Sequence, residues 1–280
     1  MARLPGAARP QGPAGQLLSP PPERRLLVRG TAVHLLSDGT GPGLLFLHGA
    51  GAGGRWLPFQ EHLARHFTVH APSHPGHGGA PAGEWIEHIS DLAFHYLDLM
   101  DELALDRVHL VGASFGGWIS AEIAVMASHR LASLVLIDPV GIKVSGWIYP
   151  FLFGMELPQL VATVFHRPEA ALALAPTDQS IDTLAELYRQ NAALARVAWN
   201  PYLYNPLLRR RLARITAPTL LCWGAHDQVS PLLCAEVWAK EIPSAQLVTF
   251  PESGHVPHLE EPEAVAAAVI EFCRRQKSAR

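Results

Sequence analysis

Val108-His109-Leu110-Val111-Gly112-Ala113-Ser114-Phe115-Gly116-Gly117 runs from an apolar, β-branched stretch into a glycine-flanked serine. Val108 to Val111, bounded by Arg107 and Gly112, reads as a buried strand. Gly112-Ala113-Ser114-Phe115-Gly116 matches G-x-S-x-G, and Trp118, Ile119, Ala121, Val125 and Met126 then follow at helical spacing. The pattern predicts a strand, a sharp turn and a helix with Ser114 at the turn, the context of a nucleophile elbow. Such a turn strains the serine backbone and lifts its hydroxyl clear of the sheet. Gly112 and Gly116 leave out Cβ atoms where strand and helix pass closely. The helix also turns its positive end and free N–H groups toward Ser114. A glycine-rich turn with Ser114 as a plain helix cap gives the same local pattern, so the rest of the chain has to decide.

The 280 residues suffice for one large α/β domain with an insertion. Half the residues are hydrophobic and only 17% are charged, a composition with a substantial core. A net charge of −3 gives no case for nucleic acid or an anionic membrane as partner. No run of about 18 apolar residues predicts a membrane span. Cys222, Cys234 and Cys273 are an odd set without paired spacing. They speak against a disulfide framework and for a reducing compartment, the cytoplasm. Prolines 5, 10 and 13 interrupt what would be the core of a signal peptide, so residues 1–22 read as a flexible tail.

Downstream, Arg24 to Arg29 and Thr31 to Ser37 predict a hairpin-like pair of strands around Gly30. Leu44-Leu45-Phe46-Leu47 is a continuous apolar run, hence an interior strand, and it ends in His48-Gly49-Ala50-Gly51-Ala52-Gly53-Gly54. Further strands are expected at Phe67 to Ala71, Leu134 to Ile137, Thr219 to Trp223 and Ala245 to Phe250, with helices between them. One of these helices is read from Ile86 to Leu103. The alternation argues a mostly parallel sheet covered on both faces. Residues 140–213 break it. They show no clear strand and are rich in Trp147, Tyr149, Phe151, Phe153, Trp199 and Tyr202. They read as a helical cap between two core segments, 23–139 and 214–280. Ligands of open α/β sheets bind beyond the carboxyl ends of the strands, so a cap inserted there covers the site. Trp147, Phe151 and Trp199 are accordingly its candidate substrate-binding residues. The aromatics of residues 147–155 serve equally as a dimer contact, leaving monomer and homodimer both open.

A serine hydroxyl needs a base. Among fifteen histidines, His255 stands in a loop after the last strand, at the same sheet edge as Ser114. Asp227 follows the preceding strand in Gly224-Ala225-His226-Asp227. It completes the order Ser, Asp, His and would orient the imidazole. Asp138 is the rival acid, although Asp138-Pro139 also reads as a strand terminator. The oxyanion needs two preorganised N–H donors, and Phe115 and Ala50 supply them in this reading. The Gly-rich loop lacks the Gly-Lys-Ser/Thr of a phosphate-binding loop and the spacing of a dinucleotide fingerprint. No cofactor is therefore expected. His74 and His77 lack acidic or cysteine partners at metal-ligand spacing and read as loop residues, so no metal is expected either. His226 and His258, beside the expected acid and base, read either as supports for them or as surface residues.

With these residues in hand, the chain from about residue 24 to 275 resembles the α/β-hydrolase superfamily. The motifs are Leu47-His48-Gly49, Pro75-Gly76-His77-Gly78, Gly112-Ala113-Ser114-Phe115-Gly116-Gly117, Gly224-Ala225-His226-Asp227, Gly254-His255 and Leu259-Glu260-Glu261-Pro262, all in the family's order. The resemblance implies an α/β-hydrolase fold with an eight-stranded sheet and a helical cap, and catalytic roles for Ser114, Asp227 and His255. Ser73 departs from the Asp that relatives usually carry in D-x-P-G-x-G. The loop from His48 to Trp56 looks like that of meta-cleavage-product hydrolases, which break carbon–carbon bonds. Those enzymes usually carry Asn before the nucleophile and Trp after the histidine, where this chain has Ala113 and Val256. A serine carboxylesterase of apolar short-to-medium acyl or aryl esters is thus expected first and a C–C hydrolase second. Relatives with an Asp nucleophile, the dehalogenases and epoxide hydrolases, are disfavoured by Ser114. A non-catalytic ligand-binding member of the fold is the reading from another class.

Overall fold

Leu44, Leu45, Phe46 and Leu47 are all buried, which a strand achieves only when both faces of its sheet are covered. The computed structural model, which describes residues 20–174 and 180–276, has such a sheet. Its strands are β1 (Arg24–Val28), β2 (Thr31–Asp38), β3 (Gly43–Leu47), β4 (Thr68–Pro72), β5 (Val108–Ala113), β6 (Leu131–Ile137), β7 (Thr219–Gly224) and β8 (Ala245–Phe250). They lie in the order β1-β2-β4-β3-β5-β6-β7-β8. β2 pairs antiparallel with β1 and β4, and every other pairing is parallel. The N-terminal tail expected over residues 1–22 lies, as far as residue 19, outside the described residues.

Successive side chains on a strand point to opposite faces, and the core divides accordingly. Leu45, Leu47, Leu110, Leu134, Leu136, Leu221 and Trp223 enter one apolar cluster. Leu44, Phe46, Val111, Val135, Ile137, Leu220 and Cys222 enter the other. Helices α2 (Ile89–Glu102), α3 (Phe115–Ala127) and α7 (Leu232–Glu241) feed the first cluster. Helices α1 (Pro58–Ala64) and α9 (Pro262–Arg275), which pack on each other, feed the second. α2 starts at Ile89 rather than Ile86 because the Asp91 carboxylate accepts the Glu87 and His88 N–H groups and caps the helix there.

Between β6 and β7 the described residues form α4 (Leu157–Val164), α5 (Ile181–Ala198), the short α6 (Leu208–Arg211) and several 3₁₀ turns, with no strand. A short α8 (Pro257–Glu260) follows β8. Among the described residues no helix is long and apolar enough to cross a membrane.

Candidate active site

The carboxyl ends of β3, β5, β6, β7 and β8 meet at one edge. At the end of β5 the chain turns so tightly that Ser114 adopts φ +50° and ψ −112° before α3 begins. A non-glycine residue there is strained. The two flanking glycines are obligatory for steric reasons. A Cβ on Gly116 would lie 2.1 Å from the Leu47 carbonyl oxygen, and one on Gly112 would lie 2.4 Å from that of Gly116.

Ser114 Oγ is 2.7 Å from His255 Nε2, and His255 Nδ1 is 2.9 Å from Asp227 Oδ2. With Asp227 accepting from Nδ1–H, Nε2 is left to accept from the serine hydroxyl. The other Asp227 oxygen accepts two backbone N–H groups, from Val229 at 2.7 Å and Ser230 at 2.9 Å. Asp227 and His255 are both buried and Ser114 is half-buried. Residues 141 positions apart in sequence are thus assembled into one hydrogen-bonded relay.

His255 is also gripped from the segment between β6 and β7. Its N–H donates to the Val164 carbonyl at 2.8 Å. Glu260 accepts from the Gly254 N–H at 2.7 Å and from the Arg167 N–H at 2.6 Å, stitching the two chain segments together. Burial raises the Glu260 pKa, opposed by these N–H donors and the Arg167 charge.

Phe115 adjoins Ser114, and the loop holding Ala50 approaches it through Gly49. Phe115 is the next residue and opens α3. Ala50 follows Gly49, where a Cβ would stand 3.4 Å from that of Ser114. The loop holding Ala50 is clamped by a buried histidine pair. The His74 N–H donates to His48 Nε2 at 3.0 Å, so His48 donates from Nδ1 to the Gly49 carbonyl at 2.7 Å. His74 Nε2 donates to the His48 carbonyl at 2.8 Å, and its Nδ1 accepts the Tyr96 hydroxyl. Burial holds His48 neutral, its pKa lowered to about 3, with the neighbouring His77 adding to the shift. Burial likewise pushes His74 well below and Tyr96 well above their usual values. A neutral network of this kind fixes a loop without spending charge.

The aromatic residues named for substrate binding sit apart from this relay. Trp147 is half-buried and donates its indole N–H to the Val229 carbonyl at 3.0 Å, bracing the Asp227 loop. Phe151 and Trp199 are about half exposed and pack with Phe153 and Tyr202 in an aromatic cluster, ring centroids 5.6–6.4 Å apart. Among the described residues no hydrogen bond or ring contact joins the three to Ser114, His255 or Asp227. His258 is buried against Phe46 and Phe59, whereas His226 stacks on His166 at the surface. The His48–His74–Tyr96 clamp and the Glu260 stitch were not read from sequence. The Pro75-Gly76-His77-Gly78 and Leu259-Glu260-Glu261-Pro262 motifs mark both places.

The comparisons agree with this architecture. Over 251 residues the chain is 29% identical to a pimeloyl-[acyl-carrier protein] methyl ester esterase of Nitrosomonas europaea, covering 83% of this chain and 96% of that protein. It is 26% identical over 272 residues to a 2-hydroxymuconate semialdehyde hydrolase of Pseudomonas sp. (strain CF600), covering 91% and 94%. The solved 2-hydroxy-6-oxo-6-phenylhexa-2,4-dienoate hydrolase of Rhodococcus sp. strain RHA1 superposes with a TM-score of 0.74 at 23% identity, covering 90% of this chain and 98% of that one. Residues 44–268 match the sequence profile of the alpha/beta hydrolase family. A single profile thus spans all the elements that build the site, from β3 into α9, and the chain belongs to the alpha/beta hydrolase family.

Proposed function

We propose that this chain is a serine hydrolase of carboxylic esters, taking apolar short-to-medium acyl or aryl groups through an acyl-enzyme. The observation that carries the reading is the Ser114–His255–Asp227 relay on a strained turn. Ser114 Oγ attacks the ester carbonyl while its proton passes to His255 Nε2. Asp227 stabilises the imidazolium that forms. The N–H groups of Phe115 and Ala50 hold the oxyanion, aided by the positive end of α3. His255 then protonates the departing alkoxide, and the alcohol leaves. Water attacks the acyl-enzyme by the same route, and the acid is released as Ser114 recovers its proton. Residues 140–213 act as the cap over the core of residues 23–139 and 214–280, with Trp147, Phe151 and Trp199 as its apolar lining. The ester-cleaving Nitrosomonas relative supports the choice of bond. The buried, unpaired thiols of Cys222 and Cys234 support a reducing compartment, the cytoplasm.

The test is steady-state hydrolysis of p-nitrophenyl acetate through decanoate. Turnover that peaks at one chain length and vanishes in Ser114→Ala is expected. The second reading, C–C bond hydrolysis of a dienolic ring-fission product, draws on the similarity to the Pseudomonas hydrolase. Folded protein that leaves every ester intact but consumes such a dienolate would replace the first reading by the second.

A further inference from the structure

Asp138 takes no part in this mechanism, yet it lies behind it. It directly follows β6 at φ +42°, is fully buried, and directs its carboxyl group at the loop that carries Asp227. A carboxyl oxygen of Asp138, one of Asp227 and a ring nitrogen of His255 all lie within 4.8 Å of one another. Asp138 Oδ1 accepts the Gly224 N–H at 3.0 Å. Its Oδ2 is buried and no donor reaches it.

Two carboxylates this close cannot both ionise away from water, so the pair holds a proton. The donor count says where. Asp227 receives three N–H groups, from Val229, Ser230 and His255, and Asp138 receives one. An ionised carboxylate offers about four acceptor positions, so Asp227 has one left for an O–H. We propose that Asp138 is a positioning residue kept as a neutral carboxylic acid, donating its Oδ2–H to the Asp227 carboxylate and holding that carboxylate ionised and aligned on His255. The orphaned Oδ2 then has its partner, and Asp227 its fourth donor. Burial first, then the charge of Asp227 and the hydrogen bond with it, raise the Asp138 pKa well above the usual carboxylate range. The other ionisable groups facing it do not reverse this. Glu260 pushes the same way, and burial keeps the Cys222 thiol neutral.

The catalytic consequence rests on the proposed triad, but the protonation does not, so the experiment has two arms. In the first, infrared spectra of substrate-free protein at neutral pH are compared for wild type and Asp138→Asn. A carboxylic-acid carbonyl band present in wild type and missing from the variant is expected, whether or not the protein turns over esters. Its absence from wild type overturns the proposal. In the second, kcat/KM is followed against pH. Asp138→Ala removes the donor to Asp227 and is expected to move the acidic limb of the profile to higher pH, with kcat lowered about ten-fold. Asp138→Asn offers an N–H to Asp227 and a carbonyl to Gly224, and asparagine tolerates the positive φ. It is expected to bring limb and kcat back toward wild type. An acidic limb that instead drops by a unit or more in Asp138→Asn means Asp138 was charged, and overturns the proposal even if Asp138→Ala fails to fold.

Discussion

Helices α3 and α5 are both long, and they live in opposite environments. Every residue of α3 from Phe115 to Ala127 is buried except Met126. In α5 only Leu194 and Ala198 are buried, while Ile181, Leu184 and Tyr188 lie on the surface, Ile181 at 84% exposure. α3 packs against α2 and against β3, β5 and β6, with Gly112, Gly116 and Gly117 at its close approaches to the ends of the strands. α5 is amphipathic by sequence, but much of its apolar stripe is exposed among the described residues. The sheet edge that carries Ser114 is therefore densely packed. The segment between β6 and β7 sends Val140, Ile142, Leu203 and Leu208 into the core but leaves more apolar surface exposed. Polar stitches such as Val164 to His255 and Glu260 to Arg167 tie it down near the site. On the proposed function, densely packed elements suit the chemistry and a more exposed segment suits substrate entry.

The sharpest way to test this contrast is at Ser114. Ser114→Ala should lower kcat by at least about 10⁴-fold while leaving the melting temperature unchanged, measured by ester turnover and calorimetry. A retained rate would move the chemistry away from the densely packed edge.

Gly116→Ala comes next. Its Cβ would fall on the Leu47 carbonyl, which cannot yield. A loss of more than about 3 kcal/mol in urea unfolding, or no soluble protein, is expected. A mild effect would mean the elbow is looser than its geometry.

Acid should unfold the buried edge at a smaller cost per step. Burial lowers His48 to about 3, with His77 contributing. Burial also lowers His258 to about 3, with His255 contributing, and His95 to about 4. Between pH 6.5 and about 3 the unfolded chain binds protons that the folded one refuses, so stability falls as pH falls through that window and is level above it. Each histidine contributes at most about 1.4 kcal/mol per pH unit. Denaturant midpoints flat from pH 7 to 4 would contradict the buried, neutral network.

The smallest effect is expected on α5. Ile181→Ser should change unfolding free energy by less than about 0.5 kcal/mol. A cost above 1 kcal/mol would show that something covers this helix in solution and would erase the contrast with α3.

What could be read from sequence is what the chain encodes over short range. Apolar runs with turn residues at their ends give the strands, because a strand buried on both faces leaves no room for polar side chains. Gly112, Ser114 and Gly116 announce the elbow because a strand-turn-helix this tight tolerates only small residues at those places. The order of Asp227 and His255 after Ser114 followed from the requirement that each end a strand at one edge. Tertiary structure alone decided the rest. Trp147 reads as a pocket residue by composition, yet its N–H is committed to the loop of Asp227. His74 and His77 look like ordinary loop residues until the fold buries them beside His48 and Tyr96. Asp138 reads as a rival acid or a strand terminator, and only the pairing of β6 with β7 brings its carboxyl beside that of Asp227. In each case the local pattern carries no trace of the partner. Burial and hydrogen bonding between residues far apart in sequence are properties of the assembled chain.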